Sequence, residues 1–147
     1  MEKNVVISIK GMQKYQGQDP DTVELVTEGR LQREGDSYTL SYQESEITGL
    51  EGTLTTIRVE PEQVTLLRVG EFNSQMVFQE GRRHLSMYNT PYGAMAIGVN
   101  TRRLSAQLDE AGGDIEIDYA LEVDHAVAGR NSFRINVKEA EGASLKQ

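Results

Sequence analysis

From residue 114 to residue 124 the chain alternates without a break. The even positions are Asp114, Glu116, Asp118, Ala120, Glu122 and Asp124, and the odd ones are Ile115, Ile117, Tyr119, Leu121 and Val123. Side chains of a strand point to opposite faces in turn, so this segment reads as a half-buried strand, polar outside and apolar inside. A helix would mix the two sets on every face. The next segment repeats the pattern, with Phe133, Ile135 and Val137 set against Ser132, Arg134, Asn136 and Lys138. Antiparallel partners must put both apolar sets on one face. Both sets are odd here, so paired numbers sum to an even number and the loop has odd length. Val127-Ala128-Gly129 is the expected three-residue hairpin, with Gly129 in the left-handed position. That register sets Val123 against Phe133 and Leu121 against Ile135. It also sets Glu122 against Arg134 and Asp118 against Lys138.

The same parity test predicts three more hairpins. Leu31 against Tyr38, Leu40 and Tyr42 calls for the two-residue turn Gly35-Asp36. Ile57 and Val59 face Leu66 and Val64 across Glu60-Pro61-Glu62-Gln63, where proline suits a type I turn. Met76 and Phe78 against Leu85 and Met87 call for Gly81-Arg82, glycine first. Residues 4–13 and 22–33 read as further strands, and 43–52 as a connection. Residues 93–108 read as one long strand whose apolar phase flips from Met95, Ile97 and Val99 to Leu104, Ala106 and Leu108. A β-bulge within Asn100–Arg103 makes that flip. No helix is predicted, although 102–111 also accommodates a helical turn or two.

The expected fold is therefore all-β, with about ten short antiparallel strands joined mostly as consecutive hairpins. Closing such a meander into an up-and-down barrel removes its edges, and a sandwich is the competing solution. With 147 residues and no composition break, residues 1–147 form one domain, the tail beyond about residue 140 being frayed.

Several stretches also match a family pattern. They are Tyr42-x-Glu44, Gly49-Leu50-Glu51-Gly52-Thr53 with Thr55-Thr56, Leu67-Arg68-x-Gly70, and Tyr88-x-Thr90-Pro91-Tyr92-Gly93. Met76-Val77-Phe78 and Tyr119-x-Leu121 fall at the corresponding places. In these the chain resembles a small, uncharacterised family of calycin-like (lipocalin-like) β-barrel proteins of Gram-positive bacteria. The resemblance implies a calycin-type barrel of about 8–10 strands. It brings no activity, substrate or catalytic residue.

Composition narrows the function classes. The chain has no cysteine, which removes disulfide and thiolate chemistry. A net charge of −8 argues against nucleic acid and against anionic membranes as partners. No stretch approaches the about 18 apolar residues of a membrane helix. The opening MEKNVVISIK reads as a strand rather than a leader, so the cytoplasm is the expected location. His84 and His125 sit beside expected loops and read as surface decoration. Two separated histidines do not make a zinc site, and no metal or cofactor is expected. Asp114, Glu116 and Asp118 lie about 7 Å apart along a strand, too far to converge on calcium, and read as a solvated face. Arg82-Arg83-His84 and Arg102-Arg103 are short basic clusters at turns, without interleaved aromatics.

Charges on the inner face carry more information. Arg68 follows Val64 and Leu66 inward, and Glu44 follows Leu40 and Tyr42. Each needs water, an opposite charge or a ligand. Arg68, Glu44, Tyr42 and Tyr38 are therefore the candidate ligand-binding residues, with Tyr88 and Tyr92 as the rim of a mouth. The stretch from Asn89 to Gly93 is expected to be a corner between two strands. Leu67, Val69, Val77, Tyr88 and Tyr92 share the outward parity and suggest a covered face or a homodimer. The leading expectation is a non-enzymatic barrel binding a small amphipathic or anionic ligand. One competitor is a filled barrel that acts through its outer surface. The other is an enzyme using Glu44 as acid or base.

Overall fold

In a computed structural model, residues 2–15, 17, 19–45, 51–70, 73–90, 93–123 and 126–140 are described. Among them are ten strands: β1 (Glu2–Tyr15), β2 (Asp21–Glu34), β3 (Ser37–Gln43), β4 (Thr53–Glu60), β5 (Gln63–Gly70), β6 (Ser74–Phe78), β7 (Arg83–Thr90), β8 (Gly93–Asp109), β9 (Gly112–Val123) and β10 (Ala126–Glu139). They form one antiparallel sheet in the order β6-β5-β4-β3-β2-β1-β10-β9-β8-β7, curled into a nearly closed barrel. Two meanders, β1–β6 and β7–β10, are joined where β1 pairs with β10, Ile7 opposite Val137 and Ile9 opposite Ile135.

Alternation drives the packing. Along β4 the buried residues are Thr53, Thr55, Ile57 and Val59, every second position. Cross-strand register stacks such residues into rows. Tyr38, Val59, Val64 and Phe78 form one row across β3 to β6; Leu40, Ile57, Leu66 and Met76 form the next. Ile7 on β1, with Ile115 and Ile117 on β9 and Ile135 and Val137 on β10, joins the same core cluster. Phe78 meets Tyr119 with ring centroids 4.9 Å apart and couples the two halves.

Two expected hairpins close as read. Glu34 pairs with Ser37 around Gly35, whose φ is 62°, and Leu31 faces Leu40. Ile57 faces Leu66 and Val59 faces Val64; the ladder runs one pair further than expected, to Glu60 and Gln63, leaving Pro61-Glu62 as the turn. The bulge in β8 falls between Thr101 and Arg103. Residues 102–109 are strand throughout, not helix. β7 and β8 meet at Thr90 opposite Gly93, with residues 91–92 outside the described set.

The hairpin expected at 127–129 is not there. β9 and β10 turn between Val123 and Ala126, and a bulge between Val127 and Gly129 adds one residue. Phe133 therefore faces Ile117, and Ile135 faces Ile115. Parity fixes the sum of paired numbers only modulo two. A two-residue turn plus one bulged residue satisfies it as well as a three-residue loop does. The outer pairs change accordingly. Asp118 accepts from Ser132 Oγ at 2.7 Å in place of the expected pairing with Lys138, Asp114 accepts from Asn136 Nδ2 at 2.9 Å, and Arg134 lies opposite Glu116 rather than Glu122. Glu122 holds Arg83 at 2.5 Å, across β8 where Gly98 has no side chain to intervene.

The β6–β7 connection also differs. Arg82 N donates to Gln79 O at 2.9 Å and Gly81 has φ 77°, a type II turn centred on Glu80-Gly81. No ladder joins β6 to β7 among the described residues; the turn is tied to β8 through Gly81 N and Thr101 O, 2.9 Å apart. β8 thus sets the faces of β7. His84 lies opposite Val99 and Ser86 opposite Ile97, while Leu85 faces outward, 63% exposed, rather than into the core. His84 is half-buried, 3.1 Å from Gln79 Oε1, and is not surface decoration.

Gly29 on β2 has a specific steric role. A Cβ there would lie 2.4 Å from the Ser41 carbonyl oxygen and 2.7 Å from Ile7 Cδ1. Only a bare backbone lets the end of β3 settle this close to β1 and β2. We expect Gly29→Ala to destabilise the fold by about 1–3 kcal/mol, the overpacking range. At Gly11 the added atom meets only the Phe133 ring edge, at 3.2 Å, and Gly11→Ala should cost less. Urea unfolding of the two variants decides this; equal midpoints would remove the steric role of Gly29.

Candidate functional site

Above the two apolar rows, the next row across β3 to β6 is polar: Tyr42, Thr55, Arg68 and Ser74. Glu44 lies just past the end of β3, where its amide donates to Thr53 O at 2.9 Å and Gln43 Nε2 donates to the same oxygen at 3.2 Å. That pinning turns Glu44 inward, with its side chain only 1% exposed. The Thr55 hydroxyl donates to Glu44 Oε2. Arg68 Nε stands 3.8 Å from the same oxygen, its side chain 23% exposed at the barrel end. A carboxylate this deep would be costly alone; a hydroxyl donor and a guanidinium offset the loss of water. Burial, and then the neighbouring Glu44 charge, push the Tyr42 phenol above its ordinary range, with Arg68 opposing.

The structure brings together three of the expected residues, Arg68, Glu44 and Tyr42. Tyr38 is separated from them, two rows away opposite Val59 and beside Leu31, Arg33 and Glu110. Tyr88 lies opposite Met95 in the ladder, but its side chain, and Tyr92 and His125 entirely, fall outside the described residues. Leu67 and Val69 are exposed, as their parity requires, and Val77 is half-buried.

Sequence reading missed Thr55 as a member of the cluster, although its alternation with Ile57 and Val59 was visible. It also missed a second polar row, across β1, β10, β9 and β8: half-buried Gln13 and buried Asn131, Tyr119 and Thr101. Asn131 Nδ2 donates to the Tyr119 hydroxyl at 3.0 Å, while Asn131 Oδ1 and Thr101 Oγ1 are buried without a hydrogen-bond partner. Asn131 shares the odd phase of Phe133 and Ile135, which was the available signal.

The space beside the first cluster is small. A cavity of about 30 Å³ is lined by Tyr42, Arg68, Leu66, Phe78, Phe133 and their neighbours. That is the share of one water molecule, whereas sites for small ligands run to about 300–1,000 Å³. Chemically the cluster can hold a proton on Tyr42, a negative charge on Glu44 and a positive one on Arg68.

Two measurements test these assignments. Unfolded tyrosines ionise near about pH 10, and Tyr42 in the fold does so higher. Above that pH the unfolded state binds fewer protons, so the stability contributed by the neutral phenol is present below about pH 10 and is lost as pH rises. The urea midpoint of the wild type should fall more steeply than that of Tyr42→Phe between about pH 9.5 and 11; parallel falls would contradict the buried phenol. For the ion pair, Arg68→Ala and Glu44→Ala should each destabilise, with a coupling of about 1–3 kcal/mol in a double-mutant cycle. Additive effects would mean that the two side chains do not act together.

No curated protein matches the chain significantly. Among solved structures, the ywiB protein from Bacillus subtilis is similar in fold, with a TM-score of 0.78 at 19% sequence identity, over 95% of this chain and 93% of that one. A family model, described as "Domain of unknown function (DUF1934)", matches residues 7–135. That match spans most of the barrel, from the middle of β1 into β10, and by it the chain belongs to this family of unknown function.

Proposed function

We propose that the chain is a non-catalytic binding module in which the barrel is a filled scaffold and the outer surface makes the contacts. The observation that carries this reading is the small size of the cavity beside Tyr42 and Arg68, about 30 Å³. On the outside, Leu54 lies directly opposite Val69, with Leu67 two residues along the same face. These three are 42%, 52% and 39% exposed, a small apolar patch where polar residues would be expected on a free surface. The acidic balance, −8 in all, favours a protein partner over nucleic acid or an anionic membrane. The same reading takes the barrel as kin to the calycins and lipocalins of Gram-positive bacteria, working in the cytoplasm. Its support is the meander connectivity and the motifs around Glu44, Arg68 and Gly93.

One observation favours a second reading, a small anionic ligand at the polar end. Arg68 Nε is buried, borders the cavity and has no hydrogen-bond partner. A guanidinium so placed is suited to a carboxylate or phosphate. Widening of the barrel end would have to accompany such binding.

Native mass spectrometry of protein taken directly from cells separates the two. We expect the bare mass of the chain or of its oligomer. A retained small molecule, lost in Arg68→Ala, would overturn the filled-scaffold reading and establish the second. Val69→Lys should leave the urea stability within about 0.5 kcal/mol, as at any position that no part of the fold covers. A large loss there would show that the patch is structural instead.

A further inference from the structure

Past its bulge, β8 pairs among the described residues with β9 on one side only. Its ladder with β7 ends at Arg83 opposite Asn100, whereas its ladder with β9 continues from Arg103 to Asp109. Among the described residues, the segment from Leu104 to Leu108 thus has no strand partner on its other side. The direction of its backbone groups follows from one hydrogen bond. Leu104 N donates to the Glu80 carboxylate at 2.8 Å, and Glu80 lies away from β9, at the turn before β7. Backbone groups alternate along a strand, so the amides and carbonyls of Ala106 and Leu108 point the same way. A groove of about 380 Å³ lies alongside, between Leu104 and Ala106 on one wall and the Pro61 turn on the other. Ala106 is exposed although it shares the phase of the half-buried Leu104 and Leu108.

The edge sequence is Arg102-Arg103-Leu104-Ser105-Ala106-Gln107-Leu108-Asp109-Glu110. It is basic at one end, acidic at the other and apolar at matching places between. Antiparallel pairing with itself about Ala106 sets Arg103 against Asp109 and Leu104 against Leu108 of the second copy, while Ser105 meets Gln107. Glu110 already holds Arg33 of its own chain at 2.8 Å, so the Arg103–Asp109 pair carries the charge match. Opposite charges and matched apolar residues across a strand pair are the stabilising combination, and like charges the opposite. A two-fold axis requires this self-complementarity, because each contact must occur twice.

We propose that this edge is a homodimer interface, in which β8 pairs antiparallel with β8 of a second copy about a two-fold axis at Ala106. The pairing covers an otherwise open edge. It places the two half-buried leucines of each chain against those of the other, supplies partners to the amides of Ala106 and Leu108, and requires the exposed Glu80 carboxylate to release Leu104 N to the second copy. The contact is confined to one strand edge, so the dimer is expected to dissociate on dilution. It does not depend on the barrel being filled: the edge lies outside the interior, and the dimer is compatible with either reading above.

The chain has no cysteine, so a single introduced one reports on geometry. A hydrogen-bonded antiparallel pair puts facing Cα atoms about 5.5 Å apart, within disulfide range. Under oxidised glutathione, Ala106→Cys should cross-link to a covalent dimer at least about tenfold faster than Val26→Cys, because only the dyad position holds two thiols together. Val26 is the control because it is 68% exposed on β2, far from this edge in the sheet. Native mass spectrometry should show a concentration-dependent dimer of the wild type. It should be lost in Arg103→Asp and regained when Asp109→Arg is added. Equal cross-linking rates, a wild-type monomer at all concentrations, or a dimer that the paired charge reversal fails to restore would each overturn the proposal. A wild-type dimer whose Ala106→Cys form does not cross-link would place the contact elsewhere, for instance at Leu54, Leu67 and Val69.

Discussion

The pairing of β1 with β10 is the contact on which the rest of the barrel depends. Each meander alone is a curved sheet with one apolar face open to water. The ladder from Val5 opposite Glu139 to Tyr15 opposite Gly129 makes them one surface. It joins residues far apart in the chain, so its loop-closure cost exceeds that of any hairpin ladder in the sheet. Once it has formed, Ile7 and Val137 are shut inside and the remaining rows can stack. The seam between β6 and β7 is the geometric counterpart. A ten-stranded curl needs only nine ladders, and among the described residues the missing one falls between β6 and β7, which the chain joins through residues 79–82.

Inside, polarity is graded along the barrel. Rows built on Val59 and Ile57 are apolar, and the row built on Thr55 is not. The step falls within a few residues on three neighbouring strands at once. It allows Glu44 to be buried, since Thr55 and Arg68 arrive in register to meet its charge. Tyr42 then lies between an apolar wall and a carboxylate, and both make its ionisation harder.

Much of this was legible in the sequence. Alternation located the strands, and the sum rule placed Ile57 against Leu66, Leu31 against Leu40 and the β8 bulge. The inward aim of Arg68 and Glu44 followed from the same counting. What parity could not resolve was any change that preserves it. The earlier turn and the one-residue bulge after Val127 together moved the partner of each β10 residue by six positions along β9, from Val123 to Ile117 for Phe133, while leaving its face correct. At β7 the failure was different. Leu85 looks like a core residue, but among the described residues β7 pairs only with β8 and takes its facing from that partner, and β8 sets His84 and Ser86 opposite the core residues Val99 and Ile97. The buried Asn131 escaped notice because an amide between Gly129 and Phe133 reads as loop until a ladder is known to run through it.

The order of the strands has one more consequence. Ala140 N donates to Asn4 O at 3.0 Å, so the beginning of β1 and the end of β10 lie side by side like the two arms of a hairpin. A short loop joining them, with the chain opened at the Glu80-Gly81 turn, gives the sequence order β7-β8-β9-β10-β1-β2-β3-β4-β5-β6. Every strand then neighbours in space the one it follows in the chain. The barrel is thus a circularly permuted simple meander, whose one long-range ladder is long-range only because of where the chain is cut.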